Sequence, residues 1–475
     1  MNQQGLWKGL LKEDFDLSSI DYTKVKPANP IQLLLMGSAA KLSGPKVKTV
    51  FVEDLAPEEA AKVNAEPSGL RNMGNTCYLN SVIQCLRTIP ELRPKLEATA
   101  PSNVPSNSRT LPSTLSNLYR DLDATSQPVT PGGFLMAVRM AFPQFAEMRN
   151  GTPMQQDAEE FYSSLVTTLS TANPELDDLF GIKMEETLTC DELDTPDAME
   201  VEGETQLMGV EPPVVTSDLH RKLVCNIQGG SDVKSQVNVT HIVEGINLSL
   251  SGKVEKRSEV LGRDAVWTRT QRMDRLPSIL TVQFGRFFWK ETPDSQDHAG
   301  VKCKVMKPVA FNGTLDVYEF CSERAKNVLK VARHAALKEE EDAFNKKLKG
   351  ESGDKEDVPM SEDGSATVAE EIADAKPTEE TLIGKGLPPK FQGKYELFAV
   401  VTHKGRDADG GHYMGWVKAE HQGETAKIQE SDEDNADWFV FDDDEVSPCK
   451  TEDVLKLKGG GDWHMSYLNF YRAKK

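Results

Sequence analysis

Long apolar runs are missing from this 475-residue chain. No stretch approaches the roughly 18 consecutive apolar residues that a bilayer-spanning helix requires. The N-terminus sets Lys8, Lys12, Glu13 and Asp14 among short apolar groups, so it has no continuous signal-peptide core. Cysteine is scarce: seven residues, odd in number and scattered, with no Cys-x-x-Cys pair. That pattern excludes a disulfide-stapled secreted framework and points to a reducing compartment. Basic residues are outnumbered, 55 Lys and Arg against 75 Asp and Glu, for a net charge of −20. Nucleic acid and anionic membrane surfaces attract clusters of Lys and Arg, so neither is an expected partner. Much of the acidic excess sits in residues 191–211 and 351–386, each with about eight more acids than bases. What remains is closer to balanced, and with 38% hydrophobic and 27% charged residues the chain reads as a soluble, intracellular globular protein.

Its length fits one large domain or two smaller ones. Residues 1–40 read as a strand-rich fragment around the apolar run Ile31-Gln-Leu-Leu-Leu-Met36, and 41–67 as a linker with one docked strand. Beyond Gly74-Asn75, Leu79, Val82, Ile83 and Leu86 fall at i, i+3, i+4 and i+7, which predicts a helix buried along one face and closed by Pro90. Helical spacing continues over 113–122, 132–141 and 158–169. From about residue 223 the pattern turns to β, with strands expected at 237–239, 241–250, 279–284, 395–403, 412–418, 438–441 and 467–471. A charged helix is expected over 324–349, and 350–386 is polar, acidic and poor in aromatics, a composition of disorder. Helices first and strands afterwards make the fold class α+β.

Cys77 opens the first amphipathic helix directly after a Gly-Asn-Thr turn. The unpaired N–H groups and the dipole of a helix N-terminus favour a thiolate there. Cys85, further along the helix, reads as a small buried hydrophobe. A thiolate nucleophile needs an imidazole to take and return a proton, and that imidazole needs an acceptor on its other nitrogen. His412 stands out among eight histidines because Gly410 and Gly411 precede it and it opens a strand. A second strand, Trp438-Phe-Val-Phe441, runs into Asp442-Asp-Asp444, so a hairpin can bring one carboxylate beside His412. Asp442 is the first choice and Asp443 the alternate. Asn72, five residues before Cys77, either aims its amide at an oxyanion or serves the turn backbone, and spacing alone leaves both open.

The stretch Gly69-Leu-Arg-Asn-Met-Gly-Asn-Thr-Cys-Tyr-Leu-Asn-Ser-Val-Ile-Gln-Cys-Leu86 resembles the cysteine box of the ubiquitin-specific proteases. Gly410-Gly-His-Tyr413 with Trp438 to Asp444 is similar to their histidine box. Gln155-Gln-Asp-Ala-Glu-Glu-Phe161 and Leu276-Pro-Ser-Ile-Leu280 with Arg286-Phe287 follow in the family's order. The resemblance covers about residues 68–474, with acidic inserts near 190–212 and 338–388. It implies a papain-like domain with thumb, palm and fingers that cleaves the bond after the C-terminal glycine of ubiquitin. In that reading Cys77 attacks, His412 is the base, Asp442 orients it, Asn72 helps form the oxyanion hole, and Gln156, Asp157 and Tyr413 bind the ubiquitin tail. A carboxylate at Asp157 suits a basic tail, although a helix N-cap explains it as well.

Met36-Gly-Ser38, Lys48-Thr-Val-Phe-Val-Glu-Asp54 and Gly459-Gly-Gly-Asp-Trp-His464 are similar to proteasome-associated members of the family. This likeness implies ubiquitinated proteins and the 26S regulatory particle as partners, a free monomer, residence in cytoplasm and nucleus, and loops near 291–300 and 405–411 that block the free enzyme. A mainly non-catalytic, ubiquitin-binding proteasome regulator is the alternative. Many family members hold a structural zinc between two Cys-x-x-Cys pairs. Cys190 and Cys225 are lone residues in that region, so neither metal nor cofactor is expected. Residues 1–40 match only the later half of the ubiquitin-like domain with which such members begin, an expectation of weakened docking.

Overall fold

The computed structural model describes residues 67–193, 211–228, 238–291, 300–351, 382–406, 410–419 and 437–474. The expectations for 1–66, for most of both acidic inserts and for the middle of the two loops lie outside these residues.

Helix α1 (Cys77–Arg87) forms where the apolar spacing places it, and Leu79, Val82, Ile83 and Leu86 are all buried. Four more helices build the same lobe: α2 (Leu92–Glu97), α3 (Leu111–Asp123), α4 (Gly132–Ala141) and α5 (Ala158–Ala172), followed by one turn, α6 (Asp177–Phe180). Pro112 stands in the first turn of α3, where its missing N–H costs nothing. Asp157 caps α5 by accepting from the Glu159 N–H at 2.8 Å. A two-residue hairpin, β1 (Met148–Arg149) with β2 (Thr152–Pro153), lies between α4 and α5.

The next strands are β3 (Ile182–Cys190), β4 (Val214–His220), β5 (Leu223–Cys225), β6 (Ser251–Arg257), β7 (Asp264–Arg275), β8 (Ile279–Phe284), β9 (Phe287–Glu291), β10 (Gly300–Lys304) and β11 (Thr314–Asp316). After them come β12 (Lys394–Lys404), β13 (His412–Lys418), β14 (Trp438–Asp442), β15 (Glu445–Cys449) and β16 (Met465–Ala473). Among these lie α7 (Ile242–Leu250), α8 (Glu323–Glu351) and α9 (Thr451–Leu455). The largest sheet runs β15-β14-β13-β12-β16-β8-β5, with β11 on the first residues of β12. Among the described residues only β5 and β8 pair in parallel within it. A separate antiparallel sheet has the order β4-β3-β7-β6, and β9 and β10 form a hairpin of their own.

The large sheet is buried on both faces, which fixes its register. Val401, Val417 and Phe441 pack on the helical lobe, while their neighbours Val400, Trp416 and Val440 pack on the opposite side with Ile246 of α7 and Leu329 of α8. Successive strand residues point to opposite faces, so a one-residue slip would exchange the two sets. Fully burying one such side chain contributes about 1.5–3 kcal/mol. Among the described residues no helix is long and apolar enough to cross a membrane.

Two expectations need correction. Residues 241–250 are not a strand but helix α7 with its cap. His241 Nδ1 accepts from the Val243 N–H, and the Glu244 carboxylate reaches back to the N–H groups of Thr240 and His241. This reciprocal capping decides a segment whose β-branched residues suggest a strand. Strands also begin earlier than residue 223, with the short β1–β2 hairpin and then the nine-residue β3. Ile182 and Met184 alternate into the core, but the acids that follow hide the pattern. They are matched across the ladder instead, Glu185 opposite Arg272 and Glu186 opposite Gln271.

Candidate active site

The turn before α1 reverses through two left-handed residues, Gly74 at φ +94° and Asn75 at φ +52°. Glycine and asparagine are the residues that enter this region at least cost. The Asn72 side-chain oxygen accepts from the N–H of Gly74 at 2.9 Å and of Thr76 at 3.3 Å, and Thr76 Oγ1 accepts from the Met73 N–H at 2.9 Å. Asn75 Nδ2 donates to the Pro153 carbonyl and ties the turn to β2. Cys77 then enters the helix with 3% of its surface exposed.

What brings this cysteine to the sheet is Gly415 on β13. A Cβ there would lie 3.1 Å from the Ser81 carbonyl oxygen and 3.7 Å from Cys85 Sγ, so α1 rests directly on the strand's backbone. His412 is three residues back along the same strand. Its Nε2 lies 2.5 Å from Asp442 Oδ1, and its ring also interacts with the Cys77 thiol group. Interaction with Cys77 is the strongest influence raising the imidazole pKa to about 9; burial opposes it and Asp442 adds to it. Asp442 reaches this place because β13 and β14 pair with Gly415 opposite Phe441.

Asp443, in a left-handed backbone at φ +55°, takes other hydrogen-bond partners than the imidazole. Its two carboxylate oxygens accept from Asn72 Nδ2 and from Asn80 Nδ2, each at 2.8 Å, and its carbonyl accepts from the Leu70 N–H at 2.7 Å. Burial pushes this carboxyl up and the two amides oppose the shift. The acids left as alternatives by the sequence thus have different partners: Asp442 meets His412, and Asp443 clamps the segment bearing Cys77. Asn72 serves the turn with its oxygen and Asp443 with its nitrogen, and that amide carries a second hydrogen. Donor atoms of His412, Asp442 and Asp443 lie within 4.8 Å of one another, a spacing open to a cation. Each of the three side chains, however, already has protein partners.

Residues 68–471 match the family described as ubiquitin carboxyl-terminal hydrolase. The chain belongs to this family. It is similar to ubiquitin carboxyl-terminal hydrolase 6 of Arabidopsis thaliana, 36% identical over 98% of this chain and 89% of that protein. The Schizosaccharomyces pombe protein of the same name is 31% identical over the same shares. Ubiquitin carboxyl-terminal hydrolase 14 of Caenorhabditis elegans is 29% identical over 96% of this chain and 84% of its own. The chemistry of the family is that of cysteine-type deubiquitinases, with ubiquitin conjugates as substrates.

In this hydrolase Gln155, just before α5, places its Nε2 3.2 Å from Cys77 Sγ. Sequence reasoning placed Gln155 in a motif but gave it no part; its position directly before Gln156 and Asp157 was the available signal. The Gln156 amide nitrogen is buried without a hydrogen-bond partner among the described residues. Asp157 is committed inside the protein: besides capping α5, Oδ1 accepts from the Tyr467 hydroxyl at 2.6 Å, and Oδ2 lies 3.9 Å from Lys302 Nζ. Tyr413 is 2% exposed and packs its ring against those of His403 and Tyr467, so its side chain faces the core in this structure. Cys85 is fully buried, and burial pushes its thiol far up, as suits a small apolar side chain. Cys190 packs with Trp267 and Ala265, whereas Cys225 lies in a different core cluster beside Gly245.

Proposed function

We propose that this hydrolase cleaves the bond after the C-terminal glycine of ubiquitin through a thioester on Cys77, with His412 as acid and base and Asp442 as its orienting carboxylate. The observation that supports the reading is His412 hydrogen-bonded to Asp442 while its imidazole pKa is raised foremost by its interaction with Cys77. The Cys77 thiolate attacks the glycine carbonyl carbon, and the carbonyl electron pair moves onto oxygen. As the tetrahedral species collapses, the carbon–nitrogen bond breaks and the leaving lysine amine takes a proton from the imidazolium. His412, now neutral, removes a proton from water. The resulting attack on the thioester releases the ubiquitin carboxylate and regenerates the sulfur. The N–H of Cys77 and the second amide hydrogen of Asn72 are the oxyanion donors, with the Gln155 amide beside the sulfur. One such donor is worth about 10²–10³ in rate. Gln156 and Asp157 line the tail channel.

The helical lobe, the large sheet and the sheet β4-β3-β7-β6 correspond in this reading to the thumb, palm and fingers of a papain-like protease. Likeness to proteasome-associated members at 36–38, 48–54 and 459–464 supports trimming of ubiquitin at the 26S regulatory particle.

A full-length ubiquitin probe with a C-terminal electrophile should label the wild-type chain and fail to label Cys77→Ala. Labelling of Cys77→Ala, or none of the wild type, would overturn the mechanism. Absence from purified 26S proteasomes would remove the proteasome assignment alone.

A further inference from the structure

The chain reaches His412 through a connection whose two ends are pinched together over one imidazole. Gly405 (φ +106°) and Gly411 (φ +96°) face each other so closely that a Cβ on Gly405 would lie 3.1 Å from Gly411 Cα. A Cβ on Gly411 would meet the Lys404 carbonyl oxygen at 2.3 Å and the His403 ring at 2.7 Å. His403 therefore lies directly beneath the last residue before His412, 1% exposed. The ladder fixes this arrangement, with His403 opposite Tyr413 and Lys404 opposite His412.

Both ring nitrogens of His403 are engaged. Lys304 Nζ, from the end of β10, lies 2.5 Å from Nδ1, 3.2 Å from the His403 carbonyl oxygen and 2.7 Å from the Gly405 carbonyl oxygen. Nε2 lies 2.8 Å from the Gly410 carbonyl oxygen. An ammonium only donates, so Nδ1 presents its lone pair to Lys304 and the ring hydrogen resides on Nε2, from which it is donated to Gly410. Burial first and then the Lys304 charge keep this imidazole neutral, its pKa pushed down to about 3. Phe287, paired with Lys304 across the β9–β10 hairpin, closes the site with its ring edge-on to His403, centroids 5.3 Å apart.

We propose that Lys304 and His403 are positioning residues for catalysis: the lysine selects the histidine tautomer, and the histidine pins the Gly410 carbonyl so that His412 is held against Cys77. This rests on the assignment of His412 as acid and base. Without the amine, hydrogen can move to Nδ1, and Nε2 would then turn a lone pair toward the Gly410 oxygen. The anchor two residues before His412 is lost. A displacement of about 1 Å at a reacting group can cost roughly 10²-fold in rate.

The test measures kcat and KM of the full chain on a ubiquitin C-terminal aminomethylcoumarin amide. Lys304→Met and His403→Phe should lower kcat about 10–100-fold and leave KM within about threefold. His403→Gln, whose amide nitrogen stands near the place of Nε2, should restore most of kcat. Wild-type kcat in Lys304→Met, or a loss in His403→Gln as large as in His403→Phe, would overturn the proposal. Nitrogen NMR of the wild-type imidazoles gives a reading that needs no variant: His403 should be the neutral Nε2–H tautomer, and the Nδ1–H form would refute it. If instead the wild type itself neither turns over substrate nor reacts with the ubiquitin probe at Cys77, the catalytic reading has failed, and the tautomer measurement still decides the Lys304–His403 arrangement.

Discussion

Neighbouring carboxylates at 442 and 443 face opposite partners because the backbone at Asp443 passes through the left-handed region. The consequence is a division of labour that two similar substitutions should separate. Asp442→Asn keeps size and packing but removes the charge that stabilises the His412 imidazolium, so kcat on a ubiquitin fluorogenic amide should fall roughly 10²-fold or more. Asp443→Asn acts elsewhere. One of its side-chain atoms becomes an NH₂ group facing the amide of Asn72 or Asn80, which breaks a hydrogen bond and opposes donor to donor. A lost pairing of this kind costs about 1–3 kcal/mol. A lower urea midpoint, with a smaller fall in kcat than Asp442→Asn shows, is the expected outcome. Equal kinetic losses would refute the division.

At the scale of elements, glycines decide how closely the Cys77 segment can approach the sheet. A Cβ at Gly69 would lie 2.7 Å from the Asp443 carbonyl oxygen and from Asp444 backbone atoms, none of which can swing aside. Gly69→Ala should therefore destabilise by about 1–3 kcal/mol, the range for overpacking, and weaken turnover by parting Asp443 from Leu70. Gly133, in the first turn of α4, has nothing within 4 Å of its missing Cβ. There the same change should stabilise by about 0.5–1 kcal/mol through helix propensity. Urea unfolding of the two variants gives opposite signs if packing is the cause.

Periodicity made much of this scaffold legible. Strand 279–284 and helix 132–141 fall where the pattern set them, because each buries a face with its own period. Residues 241–250 misled because composition there favours a strand, whereas the cap at His241 and the fit of Gly245 against Cys225 Sγ favour a helix. Cys77, His412 and Asp442 could be picked out since each adjoins a local device, namely a turn, a glycine pair or a strand end. Lys304 and His403 could not, because only the tertiary register of β10 and β12 gives them neighbours at the site.

Over the whole molecule, buried histidines set the acid side of stability. His403 and His464 are both neutral in the folded state, with pKa pushed down to about 3 and about 4 by burial first, then by Lys304 and Lys404 respectively. His464 Nδ1 shares a hydrogen bond with Thr402 Oγ1 at 3.2 Å. In the unfolded chain each has a pKa near 6.5. The unfolded state therefore binds two protons that the native state refuses, and the stability these rings contribute, complete above pH 6.5, is lost as pH falls toward 4 and then 3. His412 has the opposite sign. Its folded pKa is raised to about 9, so its contribution is complete below pH 6.5 and is lost progressively as pH rises from there through 9. The two windows meet only near pH 6.5, and carboxylates titrate mainly below pH 5, save for Asp157 and Asp443, which burial pushes up and which oppose the two rings. Between pH 6.5 and 5 the unfolding free energy should fall with a slope approaching about 2.7 kcal/mol per pH unit, two protons' worth. His464→Gln keeps a polar group for Thr402 and should halve that slope. Urea titrations at quarter-unit pH steps measure it, and a wild-type slope near zero in this interval would mean that the two rings are not held neutral.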